Sequence, residues 1–165
     1  MKNGNTYVTG KSKGTNSGFD IVTIKYNSDG AQQWVNSYNG SSNKDDFASN
    51  IVIDVFGNSY VCGSENATRN SLVFKISSLG VRGWVNSINL DFAFEGNTAS
   101  AIILNNVGNV LVAMSAGIDY KYKHMSIALI MDFNCLNIIP LLIQMLRLEG
   151  FPIRYYQIQL AIFMY

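Results

Sequence analysis

The chain has 165 residues, of which 48% are hydrophobic and 14% charged, with a formal net charge of +1. That apolar content suffices for the core of one domain and excludes a disordered chain. Lys and Arg are scattered and never form runs, which leaves no electrostatic footprint for nucleic acid or an anionic membrane surface.

The first expected strand covers residues 6 to 10, which alternate Thr-Tyr-Val-Thr-Gly, and the second covers Asp-Ile-Val-Thr-Ile-Lys-Tyr at 20 to 26. Lys11 to Gly18, rich in Gly, Ser, Asn and Lys, reads as the loop between them. Asn27-Ser28-Asp29-Gly30 reads as a hairpin turn whose Asp-Gly pair tolerates positive φ, and Gln32 to Tyr38, with Trp34, as the third strand. A polar stretch, Asn39 to Asp46, then leads to the apolar run Ala48 to Val55, which predicts a strand buried on both sides.

Gly57-Asn58-Ser59-Tyr60-Val61-Cys62-Gly63 then restates Gly4-Asn5-Thr6-Tyr7-Val8-Thr9-Gly10 at a spacing of 53 residues. A weaker third copy, Gly108-Asn109-Val110-Leu111-Val112-Ala113, follows 51 residues later. Strands are expected again at Ser59 to Gly63, Leu72 to Ile76 and Arg82 to Ile88, with a turn at Gly80 and Trp84 in register with Trp34. The third cycle predicts strands at Ala99 to Leu104, Val110 to Ala113 and Ser126 to Ile130, with a loop running through Lys123. A period near fifty residues, carried by turn residues and alternating apolar ones, marks a repeat architecture.

The combination of Gly-Asn-x-Tyr-Val-x-Gly, Ile-Val-Thr-Ile-Lys-Tyr-Asn-Ser-Asp-Gly, Gln-Gln-Trp-Val-x-x-Tyr-Asn-Gly and Ala-Ser-x-Ile-x-Ile-Asp resembles the SBBP-type β-propeller repeat of bacterial secreted and surface proteins. The resemblance covers about residues 4 to 130. It implies an all-β fold of antiparallel four-stranded blades, incomplete here: a partial blade at 4–40 lacking its inner strand, a full blade at 48–90 and a partial blade at 99–130. By apolarity, the 48–55 type of strand should line an inner channel and the tryptophan-bearing strand should lie outermost. Too few blades to close a ring implies exposed edges, marginal stability of the isolated chain and a possible edge-mediated oligomer.

Residues 131–165 read differently, as an aberrant apolar tail with irregular or helical character. Its richest part, Cys135 to Leu146, is shorter than the roughly 20 apolar residues of a membrane span, and polar residues bound it. Starting each codon of Leu160 to Tyr165 at its third base allows Gly-Asn-Ile-Tyr-Val, with the valine forced by the Met-Tyr junction. That is the repeat motif, 52 residues after Gly108, so the tail is expected to be a frame-shifted repeat. The nucleotide sequence tests this, and a stop codon in the alternative frame would end the idea.

No residue type stands in a pattern that demands chemistry, and no catalytic, cofactor-binding or metal site is assigned. His124, the single histidine, has no Cys or carboxylate at ligand spacing and reads as a solvated loop residue. Ser42, Asn43, Asp45 and Asp46, like Asn27, Ser28 and Asp29, could offer oxygens to a hard cation, but turn chemistry accounts for both sets. Asp54 and Asn105 stand where a turn needs an acceptor for its amides, and Cys62 reads as a small packed residue. Glycosylation sequons at Asn39 and Asn66 matter only in a source that glycosylates.

The expected function is therefore a non-enzymatic propeller module of a secreted or surface protein, with an adhesion or scaffolding role toward an unknown protein or glycan. The secreted or surface location comes from the resemblance, since no signal peptide is read after Met1. The rival expectation is a fragment of a hydrolase or lyase-type propeller enzyme whose catalytic residues lie outside this chain.

Overall fold

A computed structural model describes residues 4–66, 68, 70–88, 97–106, 108–120 and 123–132. All regular structure there is β, in three antiparallel sheets. The first sheet holds β1 (Thr6–Lys13), β2 (Phe19–Tyr26) and β3 (Gln32–Tyr38) in that order. The second holds β4 (Asp46–Ile53), β5 (Ser59–Glu65), β6 (Asn70–Ile76) and β7 (Arg82–Ile88), and the third β8 (Asn97–Leu104), β9 (Val110–Tyr120) and β10 (Lys123–Asp132). Of the expected tail only Met131 and Asp132 are described, as the end of β10; Cys135 and residues 133–165 lie outside the described residues, as do Asn89, Leu90, Lys121 and Tyr122.

The repeat is exact at the level of hydrogen-bond register. Thr6↔Tyr26 through Gly10↔Val22 in the first sheet becomes Ser59↔Ile76 through Gly63↔Leu72 in the second. Between β2 and β3 a register shift after Lys25 places Ile24 opposite Val35 and Tyr26 opposite Gln32. Between β6 and β7 the same shift places Phe74 opposite Val85 and Ile76 opposite Arg82. A second irregularity, between Ala48 and Asn50 in β4, recurs between Ala99 and Ala101 in β8. An irregularity conserved in place across copies is a built feature of the strand pair. Trp34 and Trp84 thus occupy equivalent positions, as the sequence spacing requires.

Four hairpin turns share one design. In each, the first residue's amide bonds to the carbonyl four residues on, and the glycine amide bonds back: Asn27 with Ala31 and Gly30, Asp54 with Asn58 and Gly57, Ser77 with Val81 and Gly80, Asn105 with Asn109 and Gly108. The glycines sit at φ of 77°, 82°, 84° and 86°, a region where a Cβ is strained. Only Gly30 of the Asp29-Gly30 pair has positive φ, so the turn is a three-residue loop ending in a left-handed glycine and not the two-residue type with both residues left-handed. The first side chain completes each turn. Asp54 Oδ1 accepts from the Phe56 and Asn58 amides at 2.9 Å, Asn27 Oδ1 from Asp29 and Ala31, and Asn105 Oδ1 from Asn109.

The core lies between the sheets. Strand alternation sends Val61, Leu72, Phe74 and Ile76 toward the first sheet, where they meet Ile21 and Tyr38, with Trp34, Ala48, Ile51 and Val85 packed at the margin. Phe74 is fully buried and stacked on Tyr38 with centroids 5.3 Å apart. Cys62 and Val73, the cross-strand pair on the opposite face, are also fully buried, and Cys62 Sγ lies 3.9 Å from Ala99 O of β8.

Several sequence expectations move. The double-sided burial expected of residues 48–55 belongs instead to β5 and β6: Ser49 and Asn50 are exposed, and Val55 is 94% exposed beyond the end of β4. The middle sheet's central strands are covered on both faces, whereas β4 is its edge. Lys11 to Lys13 continue β1 and are not loop, because Phe19 to Ile21 pair with them. Asp46 opens β4 and is 2% exposed, so it does not belong to the polar linker. His124 is likewise not in a loop: its backbone lies in β10 opposite Asp119, since the β9–β10 hairpin runs well past the expected Ala113 and Ser126.

Candidate functional site

Two polar features sit where the first and second sheets meet. At one end, loops 14–18 and 39–45 enclose an open groove of about 630 Å³, lined by Asn16, Ser17, Gly18, Asn43, Lys44, Asp45 and Asn66. Asn43 turns the chain there at φ 53°. Asp45, read from sequence as turn chemistry, bonds across the sheets: its Oδ1 accepts from the Phe19 amide at 2.9 Å, and its carbonyl accepts from the Asn66 amide.

Beneath the groove lies a buried acidic group. Asp46 Oδ2 accepts from the Gly40 amide at 2.7 Å, and the Tyr38 hydroxyl donates to Glu65 Oε1. Thr68 and Ser87 hydroxyls donate to Glu65 Oε2. Burial foremost, then the bond to Glu65 and the charges of Glu65 and Asp46, push the Tyr38 phenol well above its ordinary range, so it remains a donor. Asp20 stands near Asp46, buried, with Oδ1 lacking a protein partner. Among the described residues no group of three or more His, Cys, Asp or Glu is placed to hold a metal ion. In the other oxygen set, Asn27, Ser28 and Asp29, Asn27 Oδ1 is taken up by the Asp29 and Ala31 amides of its own turn.

Burial raises the Asp46 carboxyl above its ordinary 3.8; the Gly40 amide pulls the other way, and Glu65, Asp20 and Asp45 add to the rise. An acid whose native pKa is raised binds its proton more tightly folded than unfolded. Its contribution is therefore greatest below about 3.8 and is lost as pH climbs through the native value. Asp46→Asn keeps an acceptor for Gly40 and removes this decline. The variant is expected to gain stability over the parent at pH 7 relative to pH 3, measured by urea unfolding at both; a pH-independent difference would refute the assignment.

The second feature is a joint made of one sheet's side chains and the next sheet's turns. Trp34 Nε1 and Lys25 Nζ both donate to Ser78 O, at 3.1 and 3.2 Å, Tyr7 OH donates to Gly57 O at 3.3 Å, and Asn36 Nδ2 to Gly80 O at 3.1 Å. The joint is preformed, with Tyr7 edge-on to Trp34 at 6.0 Å and Lys25 5.5 Å over the Tyr7 ring. The middle sheet repeats it: Tyr60 to Trp84 is 6.1 Å and Lys75 stands 5.4 Å over Tyr60. Sequence reading noticed the tryptophans but missed the ensemble. Its signal was present in the 50- to 53-residue recurrence of Tyr, Lys and Trp together.

Gly80 lies directly under Trp34, where an added Cβ would come 2.6 Å from the indole. Gly30, its counterpart, has nothing within 4 Å. Gly30→Ala is expected to cost about 1 kcal/mol of backbone strain, and Gly80→Ala about 2–4 kcal/mol because the tryptophan must also move. Equal losses in urea unfolding would show that Trp34 does not seat on this turn.

Cys62 is fully buried, and burial pushes its thiol up to about 11. In a Cys135→Ser background, labelling by a thiol reagent at pH 8 should proceed only at the rate of opening of the fold. Fast stoichiometric labelling of native protein would contradict its packing. The sequon residues Asn39 and Asn66 are exposed at the groove end.

Residues 37–67, from the end of β3 through β5, match the SBBP beta-propeller repeat. Over this stretch the chain is similar to an SBBP repeat. The match begins at Ser37, next to Asn36 of the joint, takes in Asp45, Asp46 and Glu65 but not Asp20, includes the β4 irregularity, and ends just after the Gly57 turn's strand. No curated protein matches the chain. Tyr7, Lys25, Trp34 and Asn36 of the first sheet bond to the turns of the second, so these side chains join one copy of the repeated unit to the next.

Proposed function

We propose that the chain is a non-enzymatic SBBP repeat module with a scaffold or interaction role in a secreted or surface protein. The observation that carries this reading is an apolar rim on the middle sheet. Val55 and Phe56 on one turn are 94% and 79% exposed, and Leu79 and Val81 on the adjacent turn are 82% and 65% exposed. The two turns lie side by side, with the Gly57 Cβ position 3.4 Å from Ser78. Large apolar side chains gathered on one edge suit contact with another macromolecule. The directed donors Trp34, Lys25, Tyr7 and Asn36 support the same role, since all are committed to joining sheets. Among the described residues no helix is long and apolar enough to cross a membrane.

The complete gene tests the proposal. Further SBBP repeats with a sorting segment are the expected result. A hydrolase or lyase domain fused to the repeats would overturn it in favour of a propeller enzyme.

A further inference from the structure

Asn39 and Gly40, which follow the last residue of β3, carry a reactive pair: the carboxamide carbon of an asparagine and the next amide nitrogen close a five-membered ring, and glycine has no Cβ to obstruct it. The fold engages both groups elsewhere. Asn39 Nδ2 donates to Asn43 Oδ1 at 2.8 Å, and the Gly40 amide donates to Asp46 Oδ2 at 2.7 Å. Asn39 is exposed, whereas Gly40 is buried. A Cβ on Gly40 would lie 3.2 and 3.3 Å from the two Asp46 carboxyl oxygens and 3.3 Å from Glu65 Oε1, so two carboxyl groups crowd this one residue. The turn is fixed at its other end too, by the Asn43 amide on Gly40 O and the Gly18 amide on Asn43 O, both at 3.1 Å.

We infer that Asn39-Gly40 is a self-modification site, guarded by the Asp46 carboxylate while β4 holds it against Gly40 and released when that contact opens. In the reaction the Gly40 nitrogen attacks Asn39 Cγ and forms the ring C–N bond, the Cγ–Nδ2 bond breaks, and the Gly40 proton leaves with Nδ2 as ammonia. Water then opens the succinimide at either carbonyl. The product is aspartate, or isoaspartate with the main chain rerouted through the side chain, and solvent water is the one other reactant. Attack requires the Gly40 nitrogen to lose its proton, and the carboxylates beside it oppose that loss, because negative charge next to an acid disfavours its anion. A carboxylate is also too weak a base to take an amide proton. Asp46 therefore suppresses the reaction and does not catalyse it. Either product adds a carboxylate at the groove end, near Asp45, Asp46 and Glu65, and isoaspartate lengthens the main chain ahead of Gly40, so the contact does not re-form as before. The inference is independent of what the module binds.

The test ages the full chain at mildly alkaline pH, native and in guanidinium chloride, and follows the tryptic peptide 26–44 by mass spectrometry, with fragment ions placing the amide-to-acid mass gain at Asn39. Conversion should be about tenfold or more slower in the native protein, the factor that a bond to a charged acceptor supplies. Asp46→Ala should raise the native rate by about that factor. Asp46→Asn keeps an acceptor and removes the charge, so it should raise the rate about threefold, a charged bond being about twice as strong as a neutral one. Both are read in samples whose tryptophan fluorescence remains native. Converted protein should unfold at lower urea than fresh protein. Native conversion as fast as in guanidinium chloride overturns the inference, and faster native conversion would make Asp46 a catalyst and overturn it as well. An unchanged rate in folded Asp46→Asn, or failure of that variant to fold, has the same force. If Asp46→Ala does not fold, Asp46→Asn and the native-against-denatured comparison decide.

Discussion

Phe74→Ala should destabilise the fold by about 3–5 kcal/mol, a large part of the roughly 5–15 kcal/mol available to a domain of ordinary stability. Among the described residues Phe74 is the largest fully buried side chain, and it sits on β6, which with β5 is covered on both faces. Its removal leaves a cavity in the cluster of Ile21, Tyr38, Val61, Leu72 and Ile76 and strips the stacked partner from Tyr38. Tyr38 is tied by its hydroxyl to Glu65 and is poorly placed to relax into the space, which argues for the upper part of the range. Equilibrium urea unfolding with tryptophan fluorescence measures the loss. Trp34 lies at the margin of the same cluster and reports on it. A loss below about 1 kcal/mol would mean that the two sheets do not share this core.

Gly63→Ala is the second large effect, expected to cost about 3 kcal/mol or more. Glycine is required here for close approach and not for φ. The atoms in the way are backbone, Phe47 O at 1.9 Å and Ala48 Cα at 3.0 Å, and no side-chain rotation relieves them. Strand β4 would have to leave β5 around its irregularity between Ala48 and Asn50. Hydrogen exchange should then show lost protection in β4 amides near Ala48 while the β6–β7 pairs remain protected. Uniform behaviour along the whole second sheet would argue that β4 is not held at this point.

The second prediction rests on a position whose meaning differed before and after folding. Gly63 was legible as part of a motif, Gly-Asn-Ser-Tyr-Val-Cys-Gly, but a motif glycine admits a turn, a bulge or a close approach, and only the pairing of β4 with β5 selects the last. Asp46 was read with Asp45 as loop chemistry. Its burial under Gly40 beside Glu65 arises from a contact between segments that the linear order separates. The groove lined by Asn16, Asn43 and Asn66 is equally nonlocal, since three separate loops converge on it.

The sequence by itself determined the local grammar: strands, the four glycine-ended turns, Asp54 and Asn105 as turn acceptors, and the fifty-residue period that keeps Trp34 and Trp84 in register. These follow from interactions spanning a few residues, φ restriction and side-chain bonds to neighbouring amides, so the residues that cause them lie together in the chain. Tertiary structure decided which faces are covered. The apolar run Ala48 to Val55 looked like the most buried strand, yet it forms an edge, while β5 and β6 are enclosed because a sheet packs on each side of them. The same placement made the Tyr7, Lys25 and Trp34 ensemble a joint, by bringing the Gly57 and Gly80 turns beneath it. Burial depends on which sheet stands opposite, and an apolar side chain carries the same transfer free energy whichever neighbour covers it.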